Sequence, residues 1–270
     1  MKRIRTTRDS ARRELFARLE LRYRAGEYEE VEAAARALAA APRSARRKRP
    51  LSGWQARTLA TGVAVAHGRG AEVLGELETL IAELEPVNAE VHVLRLVVRN
   101  NRTAVLVGLE RYGEAETEAL GVLREITRLA HVTPLWKLEL SALENLAGAL
   151  CGQGRFEEAE EIARGNLPRA EEPSLAPLHA TLVRSLNGQG RYEEALSEAR
   201  GRTPHRSRKD SGRLDLVTAE ALHGLGRRDE AEDVARRALA DCEHHLHPAH
   251  PRIREARVLL ARVTGSEPGA

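Results

Sequence analysis

The residues best suited to metal chemistry lie close together in the C-terminal part of this 270-residue sequence. Cys242 is followed at short spacing by His244, His245, His247 and His250. Thiolate and imidazole are good zinc ligands, so this cluster is a candidate metal site. No second cluster of ligands is apparent elsewhere in the sequence. We therefore predict structural or solvent-exposed roles for these side chains, with no bound metal and no cofactor.

Two glycine-rich segments could suggest a nucleotide site. Gly152-Gln153-Gly154 and Gly188-Gln189-Gly190 are superficially similar to phosphate-binding loops. Neither precedes a Lys-Ser or Lys-Thr pair, and both follow predicted helices rather than strands, so this interpretation fails on context. No acid–base pair or nucleophile with a base can be assembled from the sequence, although such groups converge in space rather than along the chain. We predict no catalytic residue and a protein that is not an enzyme.

Three basic clusters could bind phosphates: Lys2 to Arg13, Arg43 to Arg49, and Arg200 to Arg213. Each lies at a terminus or in a predicted loop, without interleaved aromatic residues that would stack on bases. Basic residues exceed acidic ones by only 43 − 40 = 3. We favour solvated loops, and a surface for nucleic acid or an acidic protein remains the alternative.

The composition indicates helices. Aromatic residues make up only 3% and apolar residues 42%, largely Ala and Leu. No apolar stretch of about 18 residues is present, and no apolar core follows the basic N-terminus, so a cytoplasmic protein is predicted. Cys151 and Cys242 are too few for a disulfide framework and are expected to be buried. The abundance of Arg, Ala and Gly indicates a bacterial coding bias.

A short phrase recurs along the chain. Its clearest copies are Gly154-Arg155-Phe156-Glu157-Glu158-Ala159 and Gly190-Arg191-Tyr192-Glu193-Glu194-Ala195. Six copies begin at residues 26, 68, 110, 154, 190 and 226, in steps of 42, 42, 44, 36 and 36. Four of the eight aromatic residues occupy the third position: Tyr28, Tyr112, Phe156 and Tyr192. A period of this size indicates a stacked array of repeated units.

Each position of the phrase has a physical role. The glycine ends one helix in the left-handed conformation, and the aromatic residue fills the angle to the next helix. The acidic pair complements the positive end of that helix, and the small residue after it lets two helices cross closely. Prolines lie at the expected joints. We predict over 65% helix, no strand, and the helix pairs 9–25/27–41, 52–67/70–85, 88–108/111–130, 134–152/155–167, 174–188/191–201 and 210–224/227–246, with a last helix over 250–263.

This pattern resembles the tetratricopeptide repeat family over about residues 10–263. The wider steps, and the text Leu246-His247-Pro248-Ala249-His250-Pro251, are similar to the kinesin-light-chain subtype. The resemblance implies an all-α, right-handed α-α superhelix of about six helix pairs with a C-terminal capping helix. We expect a basic tail at 1–8, the solenoid at 9–263 and a flexible tail at 264–270. The second unit, with Gly70 in the aromatic position, is degenerate.

The resemblance also implies a binding surface. In this family the first helix of each unit lines a concave groove, and an Asn nine residues before the turn glycine contacts the main chain of a peptide. Asn101 and Asn145 hold that position in units three and four. An amide supplies one donor and one acceptor group to a peptide unit, although each Asn could equally be an ordinary solvated residue. The further residues expected on or near this surface are Asn100, Arg184, Asn187, Arg213, Glu220 and His223.

These expectations combine into one functional prediction. We predict a non-catalytic scaffold or adaptor that binds an extended peptide or a protein through its groove. The lysine of the family's carboxylate-clamp subset is missing, since Asn100 and Glu144 hold its positions, so a C-terminal acidic peptide is not favoured. The alternative is a regulatory or sensor protein whose basic edges contact nucleic acid or an acidic partner. No membrane partner is predicted, and the oligomeric state stays open.

Overall fold

The computed structural model describes residues 14–40, 51–85, 88–171, 174–201 and 208–265. Within these ranges the chain forms thirteen α-helices and no strand, and helix with two short 3-10 turns accounts for 83% of the residues. The prediction of more than 65% helix is confirmed. The helices are α1 (14–24), α2 (Tyr28–Ala40), α3 (Leu51–Ala66), α4 (Gly70–Glu83), α5 (Ala89–Gly108), α6 (Tyr112–Leu129), α7 (Trp136–Gly152), α8 (Phe156–Asn166), α9 (Leu175–Gly188), α10 (Tyr192–Arg200), α11 (Arg213–Gly224), α12 (Arg228–His245) and α13 (Pro251–Thr264).

The helices form the six predicted pairs, and α13 follows the last of them. Each helix packs against the next along the chain, and first helices of neighbouring pairs also touch, from α3 to α5, α7, α9 and α11. The largest difference from prediction is the start of α11, at residue 213 rather than 210. Arg208–Asp210 forms a 3-10 turn there, and Gly212 takes a φ of +67° just before the helix.

The turns follow the phrase closely. Its glycines adopt positive φ, from +73° at Gly226 to +91° at Gly68, as the left-handed helix ending requires. In unit three Glu110 holds this position with φ +61°. A side chain in this region is uncommon, so unit three keeps the turn at some cost in backbone strain.

The aromatic residue of each unit packs against the next unit. A Cβ atom added at Gly152, Gly188 or Gly224 would lie 2.3–2.4 Å from ring carbons of the aromatic residue one unit earlier, Tyr112, Phe156 or Tyr192 respectively. Each of these glycines is the last residue of a first helix. The Gly-x-Gly segments therefore serve two purposes. The first glycine leaves room for the aromatic ring of the preceding unit, and the second makes the turn.

The arginine of the phrase also joins units. Arg155 pairs with Glu158 in its own unit at 2.6 Å and with Glu116 of the preceding unit at 2.6 Å. Arg191 repeats this arrangement with Glu194 and with Glu160 of the preceding unit. Such partly exposed pairs contribute little stability each, so we assign them mainly to the register between units.

The apolar core follows the stacking. It is divided into several clusters along the solenoid, and the largest spans α8 to α13. Cys151 and Cys242 are buried and unbridged, as predicted. None of the helices in the described ranges is long and apolar enough to cross a membrane.

Candidate functional site

Two of the predicted groove residues join neighbouring first helices. Asn145 on α7 donates from Nδ2 to Asn100 Oδ1 on α5 at 2.9 Å and to Asn100 O at 3.2 Å. Asn100, only 5% exposed, donates in turn to Ser141 Oγ at 2.9 Å. The amides of Asn100 and Asn145 therefore hold α5 against α7.

Asn101 is placed differently. It is half-buried on α5 and faces α3, where a Cβ at Gly62 would lie 3.1 Å from its Nδ2 atom. Asn101 and Asn145 thus hold equivalent positions, each turned toward the preceding first helix. They are not brought together around one empty space.

Asn187 also joins two first helices. It is 4% exposed, and its Nδ2 donates to Val217 O on α11 at 2.7 Å and more weakly to Glu220 Oε2 at 3.4 Å. Its Oδ1 atom is buried without a hydrogen-bond partner in the described part of the chain. Asn187 is therefore committed to the α9–α11 contact.

Charged side chains of α9 and α11 face α13. Arg184 lies 2.5 Å from Glu255, and these side chains are 39% and 41% exposed. Glu220 lies 3.7 Å from Arg262. Glu255, and then Glu220, raise the pKa of Arg184. Burial alone would raise the pKa of Glu255, but Arg184 and the more distant arginines hold it below its usual value.

His223 lies on α11 three residues beyond Glu220. It is half-buried, and its Nδ1 atom is buried without a hydrogen-bond partner among the described residues. Arg184, Glu220 and His223 form a polar strip on α9 and α11, which we call the groove strip.

The segment before α11 is held by contacts within the chain. Arg213 lies 3.2 Å from Asp210. The buried Arg252 donates from Nη1 to Lys209 O at 2.8 Å and to Ser211 O at 2.9 Å. The segment 208–213 and the first turn of α13 are thereby fixed to one another.

This segment lies within electrostatic reach of first helices from distant units. Burial raises the pKa of Glu144 on α7, whereas Arg213, Lys209 and Arg252 lower it. Burial also raises the pKa of Tyr23 on α1, and Asp210 and Glu144 add to that effect. The segment 208–213 is thus close both to unit one, which contains Tyr23, and to unit four, which contains Glu144.

The histidine cluster has structural contacts. His250 caps α13, because its Nδ1 accepts from Arg252 N at 3.1 Å and Pro251 follows at the first helical position. Cys242 Sγ donates to Ser211 O at 3.4 Å, and the His247 ring packs edge-on against His67 at 5.1 Å. In the described ranges, no three His, Cys, Asp or Glu side chains are arranged to hold a metal ion.

Two histidines, His250 of the cluster and His67, are expected to make the stability of the protein depend on pH. Burial, together with Arg252 and Arg213, holds the pKa of His250 at about 2. Burial lowers the pKa of His67, with Glu29 opposing and Arg208 and His247 adding to the shift. Because the unfolded chain binds these protons near pH 6.5 and the native protein does not, the free energy of unfolding falls as pH drops below about 6.5. A fully shifted histidine accounts for about 1.4 kcal/mol per pH unit.

Urea unfolding at pH 7.5, 6.5 and 5.5 measures this effect against the His250→Asn variant, whose amide keeps a helix-capping acceptor. We expect the variant to lose less stability between pH 6.5 and 5.5. Glu144 titrates in the opposite direction, but it is common to both proteins and cancels in the comparison. Parallel pH profiles would contradict the expectation.

Only part of the three basic clusters lies within the described residues. Lys2 to Arg13 and Arg43 to Arg49 lie outside the described residues. In the third cluster, Arg208 and Arg213 both form ion pairs within the chain, with Glu29 and Asp210. These two arginines are therefore engaged in folding contacts.

A cleft of about 470 Å³ lies on the second-helix side, between α4, α5 and α6. Arg99 spans it, at 2.8 Å from Glu118 and 2.5 Å from Glu125. Arg57 bridges Glu76 and Glu83 at the same spacings of 19 and 26 residues. Arg99 and Arg102 are matched by carboxylates in the cleft, whereas Arg95 donates from Nε to the backbone oxygen of Ile81 at 3.3 Å.

Paired helices stacked without strands define, over the described ranges, an all-α solenoid of helix pairs, which is consistent with tetratricopeptide repeats. The model of the tetratricopeptide repeat family matches residues 140–172 and 219–252. These segments contain most of α7 with α8, and part of α11 with α12, so the matches support a tetratricopeptide-type repeat protein. The sequence has no match among curated proteins.

Sequence reasoning missed three residues that lie near the predicted surface. Arg252 and Glu255 lie on α13, outside the repeated helices, and their signal was the presence of charged residues in a helix expected to cap the array. Tyr23 lies on α1, the first helix of unit one, at a position that the repeat phrase does not include.

Proposed function

We propose that this protein is a non-catalytic scaffold that holds a protein segment along its concave surface. The partner is an extended peptide, or an exposed strip of another protein, that presents a carboxylate to the groove strip. The tetratricopeptide-type repeats support this proposal, since such solenoids offer an extended concave surface to partners.

The ion pair between Arg184 and Glu255 carries the proposal. We assign it to the proposed binding surface, and about two-fifths of each side chain remains accessible to water. An ion pair of this exposure contributes only about 0–1 kcal/mol. A partner's carboxylate can therefore replace Glu255 on Arg184 at little cost, and Glu220 and His223 lie on the neighbouring helix for further contacts.

The other predicted residues have a supporting part in this proposal. Asn100, Asn145 and Asn187 bond to adjacent first helices, so they set the spacing of the groove walls. Arg213 fixes the segment beside Asp210. Asn101 is the predicted amide without a hydrogen bond to another described residue, and we propose that it contacts the partner's main chain.

A displayed library of random peptides provides the test. Peptides enriched on the full-length protein are synthesised and titrated against Arg184→Gln and His223→Ala, singly and together. We expect the double variant to bind at least tenfold more weakly, because it loses a charge-assisted and a neutral hydrogen bond worth about 2–4 kcal/mol together. Arg236→Gln on α12 is the matched control, since the ion-pair partner of Arg236 among the described residues is Glu232, one turn earlier in the same helix.

Two results would count against the groove. Equal losses in the groove variant and the Arg236 control would place binding elsewhere. Unchanged binding in the groove variant, with a steep loss in salt and on charge reversal across Arg43–Arg49, would favour the basic edges. We further propose a cytoplasmic, bacterial protein of the kinesin-light-chain-like subtype, supported by two unbridged cysteines and the wide early steps.

A further inference from the structure

Arg208 connects the late part of the chain to the first unit. Its guanidinium donates to both carboxylate oxygens of Glu29, at 3.1 and 3.0 Å, and to Gly26 O at 3.0 Å. These partners lie 179 and 182 residues earlier in the sequence. Arg208 Nε also donates to His245 O at 2.6 Å, and the guanidinium lies 5.3 Å from the Tyr28 ring centroid. One side chain therefore ties α12 to the turn of unit one.

The linker before α13 continues this contact along the turns of units two and three. The His250 backbone lies against Gly68, where an added Cβ would be 2.6 Å from the His250 Cα atom. Pro251 lies against Gly108, with 3.4 Å between its Cγ and an added Cβ there. Arg254 then reaches Glu110 at 2.5 Å. The contacts of Arg208 and of residues 247–254 with these three turns are called the closure below.

The closure is a single piece. Arg252 binds the carbonyls of Lys209 and Ser211, so the segment carrying Arg208 moves with the start of α13. Beneath that segment lies Cys242, fully buried, whose Sγ would be 2.4 Å from a Cβ added at Gly212. Lifting the segment therefore exposes the Cys242 thiol.

The chemistry of the closure makes it reversible. It consists mainly of charged, histidine and glycine contacts, and Arg208 and Glu29 retain 30% and 55% of their side-chain exposure. A seam of this kind lacks the large apolar area that makes association permanent. Water and salt ions compete for its charges.

From this arrangement we infer that the closure joins the two ends of the solenoid into a ring, and that its opening admits the partner to the groove. The inference rests on the proposed function, since α13 carries the Glu255 carboxylate that occupies Arg184 in the closed form. Opening the closure shifts the first turn of α13, with Glu255, away from Arg184, while Ala256, Leu259 and Val263 keep the rest of α13 in the core. Partner binding and closure then compete for the same surface.

Thiol labelling measures the closure without any partner. The full-length protein and Arg208→Glu are treated with 5,5′-dithiobis(2-nitrobenzoate), and peptide mass spectrometry separates Cys242 from Cys151. We expect labelling of Cys242 to accelerate about tenfold or more in Arg208→Glu, since local opening governs access to a buried thiol. Cys151, buried in α7, is expected to keep its rate and serves as the internal reference for global unfolding.

Two variants control for the charge change itself. Arg227→Glu reverses an arginine whose partner within the described part of the chain is Glu230, three residues away, and its Cys242 rate should match that of the native protein. Glu29→Arg combined with Arg208→Glu restores an ion pair across the closure and should slow labelling again. If Arg208→Glu fails to fold, the native protein in 50 mM and 1 M NaCl replaces it, with faster Cys242 labelling expected at high salt.

The library-selected peptide, used as the probe, then tests admission to the groove. We expect it to bind Arg208→Glu at least threefold more tightly than the native protein, and to accelerate Cys242 labelling in the native protein. Unchanged Cys242 labelling in Arg208→Glu and in high salt would overturn the closure. Faster labelling with unchanged peptide affinity would overturn its gating role and leave the proposed function standing. If neither form enriches a peptide, the proposed function fails and gating fails with it, while labelling still decides whether the ring opens.

Discussion

Replacing Tyr28 with alanine is expected to lower the free energy of unfolding by about 3–5 kcal/mol, as truncation of a buried aromatic residue does. Tyr28 is 2% exposed and packs with Leu19, Val31 and Val63. Its ring also lies 5.6 Å from the ring of His67. The substitution therefore leaves a cavity where unit one, unit two and the closure meet, and urea unfolding monitored by circular dichroism measures the loss.

Two further variants give this result its meaning. Tyr28→Phe keeps the ring and is expected to cost about 1 kcal/mol, since only hydroxyl interactions are removed. Tyr192→Ala removes a partly exposed ring from unit five, so its cost should be roughly half that of Tyr28→Ala. A Tyr28→Ala protein as stable as Tyr192→Ala would mean that the ring is not enclosed as described.

Gly68→Ala is expected to cost about 2–4 kcal/mol, through two effects that can be separated. A φ of +91° strains any residue with a Cβ atom. The new methyl group would also meet the backbone of His250, which cannot rotate away as a side chain can. The chain can relieve that overlap by breaking the contacts of the closure. The part of the stability loss that exceeds the backbone strain should therefore approach the free energy of those contacts.

Gly190→Ala measures the backbone strain alone, without a steric overlap. Gly190 has φ +74°, and no heavy atom lies within 4 Å of an added Cβ. This variant should cost about 1 kcal/mol, and it should leave the Cys242 labelling rate unchanged whereas Gly68→Ala raises it. Equal stability losses in the two variants would show that His250 does not press against Gly68.

The local parts of the fold were predictable because their signals are local. A turn glycine, an aromatic residue and an acidic pair specify where one helix ends and the next begins, so the pairs from α1/α2 to α11/α12 followed from sequence. The 3-10 turn before α11 was not anticipated, and neither was the contact of its first residue, Arg208, with the first unit. No spacing rule connects Gly26 with Arg208, because their approach depends on how far the whole array winds.

The candidate site shows the same division. The repeat register placed Asn100, Asn101 and Asn145 correctly on first helices. It could not predict that the Asn145 amide donates a hydrogen bond to Asn100. A helical residue at such a position faces either the groove or its neighbour, and a few degrees of rotation between helices decide which. Arg184 was predicted on the groove, whereas its partner Glu255 belongs to a helix outside the repeated phrase.

The exchange of aromatic rings between units has a consequence for cooperativity. Since each ring of units three to five completes the core of the following unit, no unit there finishes its own packing, and stability is shared between nearest neighbours. Gly70 interrupts this series at unit two, where Val105 of unit three packs against the glycine instead and the two units share an apolar cluster. The contacts of residues 250 and 251 with Gly68 and Gly108 fall on both sides of that break. They connect the start of α13 directly to units two and three, so local unfolding of either of these units also costs contacts with the C-terminal end of the array.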